Sequence, residues 1–315
     1  MKLTFSVLCL ILILFSFLLT RESSEDYFKK IKAKLYYSKV TSFGQEKLTG
    51  LNLENLSNID FSKINDLKYL KQINLSSTNV SNGDLNFITN LQFLEELDLS
   101  NTEIDSDSLK RFKNLKILKL GGAHFSNISN LEDIRYLYLD HCQIADYSAI
   151  SKLSGVFYVD FSFSDINNNS ISTLPMSIRH LNLAHTKISN LKFLEKSQLE
   201  GLILSYSQLS DIKQLEKMKS LTDLFLEGLN LSEIETLMKL VSLKTLNISS
   251  TNINKFKFLK NLTNLETLDV SNTNFNVSDL SYLENIKSLR VLYTKGLKIT
   301  AEEVKSILGE KVFLK

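Results

Sequence analysis

The sequence predicts an α/β solenoid, a right-handed curved stack of short repeats with a parallel β-sheet on the concave face and short helical or 3-10 turns on the convex face. Three observations predict it: one motif recurring at a near-constant step, two different periods within each copy, and a chain with a single proline, Pro175. The motif reads LxxLxLxxTxI. It is plainest as LKQINLSSTNV from Leu70, LEELDLSNTEI from Leu94, IRHLNLAHTKI from Ile178, LKTLNISSTNI from Leu243 and LETLDVSNTNF from Leu265. Degenerate copies start at Leu48, Leu115, Ile134, Val156, Leu199, Leu221 and Leu289, so twelve starts are separated by 22, 24, 21, 19, 22, 22, 21, 22, 22, 22 and 24 residues. Self-similarity at such a step is the mark of a repeat array.

Within a copy, LxL alternates as a strand does, with leucines inward and the intervening residues facing solvent. The other half, as in Phe256, Leu259, Leu262 and Leu265, repeats every third residue and reads as a helical or 3-10 turn. One copy cannot bury its apolar side alone, and stacking makes a continuous core. Twelve strands at ~4.8 Å give a sheet roughly 53 Å along its arc. The two sides differ in bulk, so the stack curves with the sheet inside.

The elements follow in chain order. Residues 1–20 read as a signal peptide or signal anchor: Lys2, then the apolar run 3–19, then polar residues from Arg21. About 17 apolar residues is long for a cleaved segment and short for a span. Leu18 and Leu19 crowd the place where a small-residue cleavage site belongs, which favours an anchor. Leu8 before Cys9 argues against lipidation. Residues 21–47 are expected to form a linker and a capping helix carrying Tyr27, Phe28, Ile31 and Leu35. The array occupies 48–299. Residues 300–315 cap it, with Thr300 and Glu303 as a capping box before Val304, Ile307 and Leu308, and Gly309 as the stop. With the cap reaching Lys315, no appended catalytic domain is expected.

On these motifs the chain after residue 47 resembles the leucine-rich repeat family, and its 22-residue step resembles the internalins and the repeat-built regulatory subunit of protein phosphatase 1. Where those families often carry asparagine, this chain has Thr78, Thr102, Thr186, Thr251 and Thr273, with Ser164, Ser207 and Cys142 as variants. A hydroxyl makes fewer bonds than an amide. Ala123, Leu229 and Leu297 make none, so local irregularity is expected there. Cysteine-rich end caps, common in animal extracellular relatives, are absent. The resemblance therefore implies a bacterial exported protein.

Nothing in the sequence suggests an enzyme, a cofactor or a metal. With 37 basic and 35 acidic residues, the formal charge of +2 gives no field for nucleic acid. Cys9 and Cys142 are the only cysteines, and no phosphate loop, zinc-ligand spacing or GxSxG element is present. Cys142 stands at the inward threonine position and should be buried. The stretch Asp165 to Pro175 reads as a tolerated loop rather than a second contact site.

The informative positions are those the core does not dictate. In the repeats from Leu70, Leu94, Leu243 and Leu265 they are ordinary polar residues. Between Ile134 and Phe225 they become Tyr136, Tyr138, His141, Tyr158, Phe163, His180, His185, Ile203, Tyr206 and Phe225, with His141, Phe163, His185 and Tyr206 in one vertical row. Such a patch reads either as a binding surface for a protein ligand or as rings that stack passively and cover the sheet, and binding is the preferred expectation. Histidines charge near pH ~6.5, so binding is expected to weaken below about pH 6. The function expected is thus a non-enzymatic, monomeric protein-interaction scaffold, exported and either secreted or attached to the membrane through residues 3–19. The alternative is an intracellular regulatory scaffold of the phosphatase-subunit kind.

Overall fold

The computed structural model describes residues 22–39, 45–127, 131, 133–232 and 234–315 of the chain. The N-terminal segment 1–20, with its signal or anchor role, lies outside the described residues. Among those that are described, no helix is long and apolar enough to cross a membrane.

Helix α1 (Ser24–Lys30) is capped by the Ser23 hydroxyl, which accepts the Asp26 N–H, and it buries Phe28 at the end of the stack. The chain then turns into β1 (Lys34–Lys39), which pairs antiparallel with β2 (Glu46–Asn52). This corrects the expectation of a cap made of one helix. Leu35 belongs to β1, because the helix stops at Ile31 and Lys32 takes a left-handed conformation, φ 64°. A hairpin strand therefore covers the first repeat's edge, with a bulge between Tyr36 and Tyr37 and lysines at both ends, features that discourage edge pairing.

From β2 onward the sheet is parallel. The main strands are β3 (Gln72–Asn74), β4 (Glu96–Asp98) and β5 (Ile117–Lys119). A side strand, β6 (His124–Asn127), precedes β7 (Tyr136–Tyr138), and another, β8 (Gln143–Asp146), precedes β9 (Tyr158–Asp160). Then follow β10 (His180–Asn182), β11 (Gly201–Ile203), β12 (Asp223–Phe225), β13 (Thr245–Asn247), β14 (Thr267–Asp269), β15 (Val291–Tyr293) and β16 (Phe313–Leu314). Each main strand from β3 to β15 starts two residues after a predicted start, while β2 starts two residues before Leu48. The order β1-β2-β3-β4-β5-β7-β9-β10-β11-β12-β13-β14-β15-β16 makes a 14-stranded sheet in which each repeat pairs only with its neighbours. The middle residue of each short strand points inward and is fully buried, as in Leu181, Leu202, Leu224 and Leu246. The convex side carries 3-10 helices such as Lys213–Lys217 and Lys257–Asn261, the three-residue period made visible. The side strands β6 and β8 form a parallel pair of their own just after the turns, β8 being followed by a 3-10 helix at Ser148–Lys152, and the sequence pattern did not announce them. The loop from Asp165 is fastened to the next repeat by Asn168, whose amide donates to the Asn190 carbonyl and accepts the Ser189 N–H.

Each main strand from β3 to β15 leaves the sheet through the same turn. The hydroxyls of Thr102, Thr186 and Thr251 donate to the carbonyl three residues back, at 2.6 to 2.7 Å, and that of Ser164 does the same. Cys142 donates its thiol to the Leu120 carbonyl of the repeat before, and burial pushes that thiol's pKa up to about 12. The expected irregularity at Leu229 and Leu297 does not occur. Their backbone N–H groups close the turn onto Leu226 and Thr294, and each is preceded by a glycine in the left-handed region, Gly228 at φ 71° and Gly296 at φ 81°. Ala123 closes onto Leu120 in the same way after Gly122, and the departure there lies beyond the turn, where β6 begins. The hydroxyl still matters where it is present. Thr186→Val should cost about 1 to 3 kcal/mol in urea unfolding, since it strips a hydrogen bond from a fully enclosed turn. The C-terminal helix α2, Ala301–Leu308, has the expected capping box from Thr300 and Glu303, and Gly309 ends it at φ 83°.

Candidate binding face

The third residue of the turn is left-handed in every repeat from β3 to β15. In seven of them it is serine, asparagine or glycine: Ser77, Asn101, Gly122, Gly228, Ser250, Asn272 and Gly296. In four consecutive repeats it is instead His141, Phe163, His185 and Tyr206, with φ of 56 to 57°. An L-residue pays roughly 1–2 kcal/mol for this conformation, and bulky side chains adopt it rarely. Each of the four donates its backbone N–H to the next repeat, to the carbonyls of Ser162, Ala184, Ser205 and Glu227. The turns are therefore locked in register, and the rings rise in a column.

That column is continuous. His141 and Phe163 stack at 4.7 Å with planes 5° apart, Phe163 and His185 at 4.2 Å and 12°, and His185 and Tyr206 at 4.7 Å and 16°. All four rings remain exposed, Phe163 by half of its surface. The sequence placed these residues on the strands. The structure puts them three residues beyond the strand ends, along one rim of the concave face.

Each end of the column carries a carboxylate. Asp140 Oδ2 lies 3.1 Å from His141 Nδ1, and Tyr206 donates its hydroxyl to Glu227 Oε1 at 2.8 Å. That bond to Glu227 raises the pKa of the Tyr206 phenol above its ordinary value. The ring of Tyr206 covers Gly228, leaving no space for a Cβ there. Gly228→Ala should consequently cost about 1–2 kcal/mol from the left-handed backbone alone. The clash adds to this, and Tyr206→Ser should remove only that added part, so a double-mutant cycle in urea should show coupling between the two sites.

A second group sits on the strands themselves. Tyr136, Tyr158 and His180 are register partners across β7, β9 and β10. Tyr138 and Tyr158 approach to 5.2 Å, Tyr136 and Tyr158 to 6.4 Å. Phe157, which the sequence reading omitted, lies 6.0 Å from Tyr136 and 5.1 Å from His180 and joins the group from just before β9. Burial and the neighbouring Asp160 carboxylate, to which its hydroxyl donates at 3.1 Å, raise the Tyr158 pKa well above the ordinary tyrosine range. Burial likewise raises that of Tyr138. Ile203 and Phe225 pair in register on β11 and β12, half-buried, and extend the strand group toward the C-terminus. At their row position other repeats carry asparagine or aspartate whose side chain accepts the N–H two residues on, as Asn74, Asp98 and Asn182 do. Tyr138, Ile203 and Phe225 replace that turn-forming acceptor with surface a ligand could touch.

Among the described residues no group of three or more His, Cys, Asp or Glu side chains is placed to hold a metal ion. The face offers rings, edges and carboxylates, which suit recognition by contact.

No family model matches the chain, and no curated protein matches it. Solved structures do. An internalin (InlF) of Listeria monocytogenes matches with a TM-score of 0.64 at 20% identity, over 92% of this chain and 93% of that one. The mouse RP105/MD-1 complex matches with the same TM-score and identity over 84% of this chain, which spans about half (49%) of that one. The APL1 leucine-rich repeat domain matches with a TM-score of 0.55 at 17% identity, over 85% of this chain and 71% of that one. The chain has the leucine-rich repeat fold, a curved solenoid with the sheet along its concave side.

Proposed function

We propose that the protein is a non-enzymatic interaction scaffold that binds a protein partner through the ring column and the tyrosine group beside it. The observation that carries this reading is the left-handed backbone under His141, Phe163, His185 and Tyr206, at a position filled by Ser, Asn or Gly elsewhere in the array. Strain held at four adjacent positions and spent on exposed rings is what a recognition surface needs and a fold does not. Rigid rings with few rotors also lose little entropy on binding. The fold is compatible with this use: one of the similar structures is that of a protein complex, mouse RP105/MD-1. The export of the chain, its attachment through residues 3–19 and its monomeric state belong to the same proposal, and rest on the N-terminal sequence.

The test is affinity capture with the full chain in detergent micelles, carrying a photo-crosslinker either at Tyr206 or at Met238 on the convex side. A partner crosslinked from position 206 and not from 238 is expected. Crosslinking from 238 alone, or a capture that yields no partner at either, contradicts the reading.

A further inference from the structure

The charges on this face are segregated. On the exposed rows of β7 and β9 to β12, and in the turns after them, the ionisable carboxylates are Asp140, Asp160, Asp223 and Glu227, and there is no lysine or arginine. The two arginines of the same repeats, Arg135 and Arg179, precede their strands, Arg179 leaning on Glu200 at 3.8 Å, and the lysines, Lys187 to Lys239 among them, come after the turns. The nearest cation on the sheet is Lys119 on β5, which lies over the Tyr138 ring and is already paired with Glu96 at 2.7 Å. This occurs in a chain whose formal charge is +2, so the acidity is local to the face.

The four carboxylates differ in what they have left to offer. Asp160 is saturated, because Oδ1 takes the Ser162 N–H while Oδ2 takes the Tyr158 hydroxyl and the Asn182 amide. Asp223 already accepts from Thr222. Asp140 and Glu227 each engage one oxygen, with the adjoining ring of the column, and among the described residues neither meets a lysine or arginine within ion-pairing distance. Each therefore keeps an acceptor oxygen at its own end of a column of stacked π-faces. A guanidinium or ammonium would find a charge-assisted hydrogen bond there and an aromatic wall beside it.

We infer that the face takes an extended segment of a partner protein with two cationic side chains, one held at Asp140 and one at Glu227, and its apolar part lying along Phe163 and His185. This rests on the binding role proposed above and adds the partner's chemistry. The carboxylates occupy equivalent turn positions four strand steps apart, roughly 19 Å at ~4.8 Å per step, which at about 3.4 Å per extended residue sets the two basic residues roughly five to six positions apart.

The experiment is panning of a phage-displayed random peptide library against the full chain in detergent micelles. Lysine and arginine should be enriched over the input library, in pairs at that spacing, and recovery should fall about tenfold or more when salt is raised from ~50 to ~500 mM. The Asp140→Asn, Glu227→Gln double variant should lose the basic preference and most of the recovery while keeping the wild-type circular dichroism and melting profile. Neutral or acidic peptides, recovery unchanged in the double variant, or no enrichment at all overturns the inference. A variant with Tyr138, Phe163 and Tyr206 all changed to serine separates it from the role it rests on. If that variant pans like the wild type, the ring face is not the site. If it loses recovery while the peptides prove uncharged, the face binds but its partner is not cationic.

Discussion

Leu202→Asp should unfold the centre of the array, whereas Ile203→Asp, one residue along the same strand, should change stability by less than about 1 kcal/mol. Leu202 is fully buried between Leu181 and Leu224, its register partners on β10 and β12. Truncating such a leucine to alanine removes ~2–5 kcal/mol, and a carboxylate adds the cost of an unpaired charge in an apolar layer. Whole domains are stable by about 5–15 kcal/mol, so little is left. In a stack whose repeats touch only their neighbours, a break at β11 also deprives both halves of an interface. Ile203 points the other way and is half-buried on the open face. Far-UV circular dichroism and urea titration of the two variants make the comparison. Equal losses from both would mean that strand alternation does not separate core from face.

The second large effect concerns binding. The Tyr138→Ser, Phe163→Ser, Tyr206→Ser variant should lose partner capture altogether while keeping its fold, because each ring is exposed or half-exposed and none reaches the leucine core. Stacked pairs contribute about 0.5–1.5 kcal/mol each, and serine is tolerated at the left-handed turn position, as Ser77 and Ser250 show. Interface hot spots of this ring type each cost ~2 kcal/mol or more on truncation, so removing three should weaken capture by several orders of magnitude. Capture of the same partner by the folded triple variant would leave the rings with a role in covering the sheet only.

Much of the fold could be read from the chain because one physical demand repeats. Inward leucines at a 22-residue step dictate both the strand register and the convex turns, and the strands begin where the motif places them. Leu35 was misplaced because four apolar residues at helical spacing look alike whether or not the helix ends between them, and Lys32 ends it through a backbone sign that no hydrophobic pattern carries. The side strands β6 and β8 escaped for a similar reason, since the segments that form them lack a period of their own. At the face, the vertical row of His141, Phe163, His185 and Tyr206 was legible as a row. Its backbone was not, although Gly122, Gly228, Gly296, Asn101 and Asn272 at the equivalent position are the residues a left-handed turn selects. Phe157, Asp140 and Glu227 went unnoticed because their contribution depends on which side chain of the next repeat lies beside them.

The central claim is that the column serves recognition and contributes little to the fold, and the unfolding free energy of a variant with His141, Phe163, His185 and Tyr206 all changed to asparagine tests it. Three stacked contacts at about 0.5–1.5 kcal/mol are lost, while four side chains in a costly conformation give way to one suited to it. The predicted result is a stability within about 2 kcal/mol of the wild type in urea titration. A loss of ~4 kcal/mol or more, the size of a leucine deleted from the core, would show that the rings hold the solenoid together and contradict the claim.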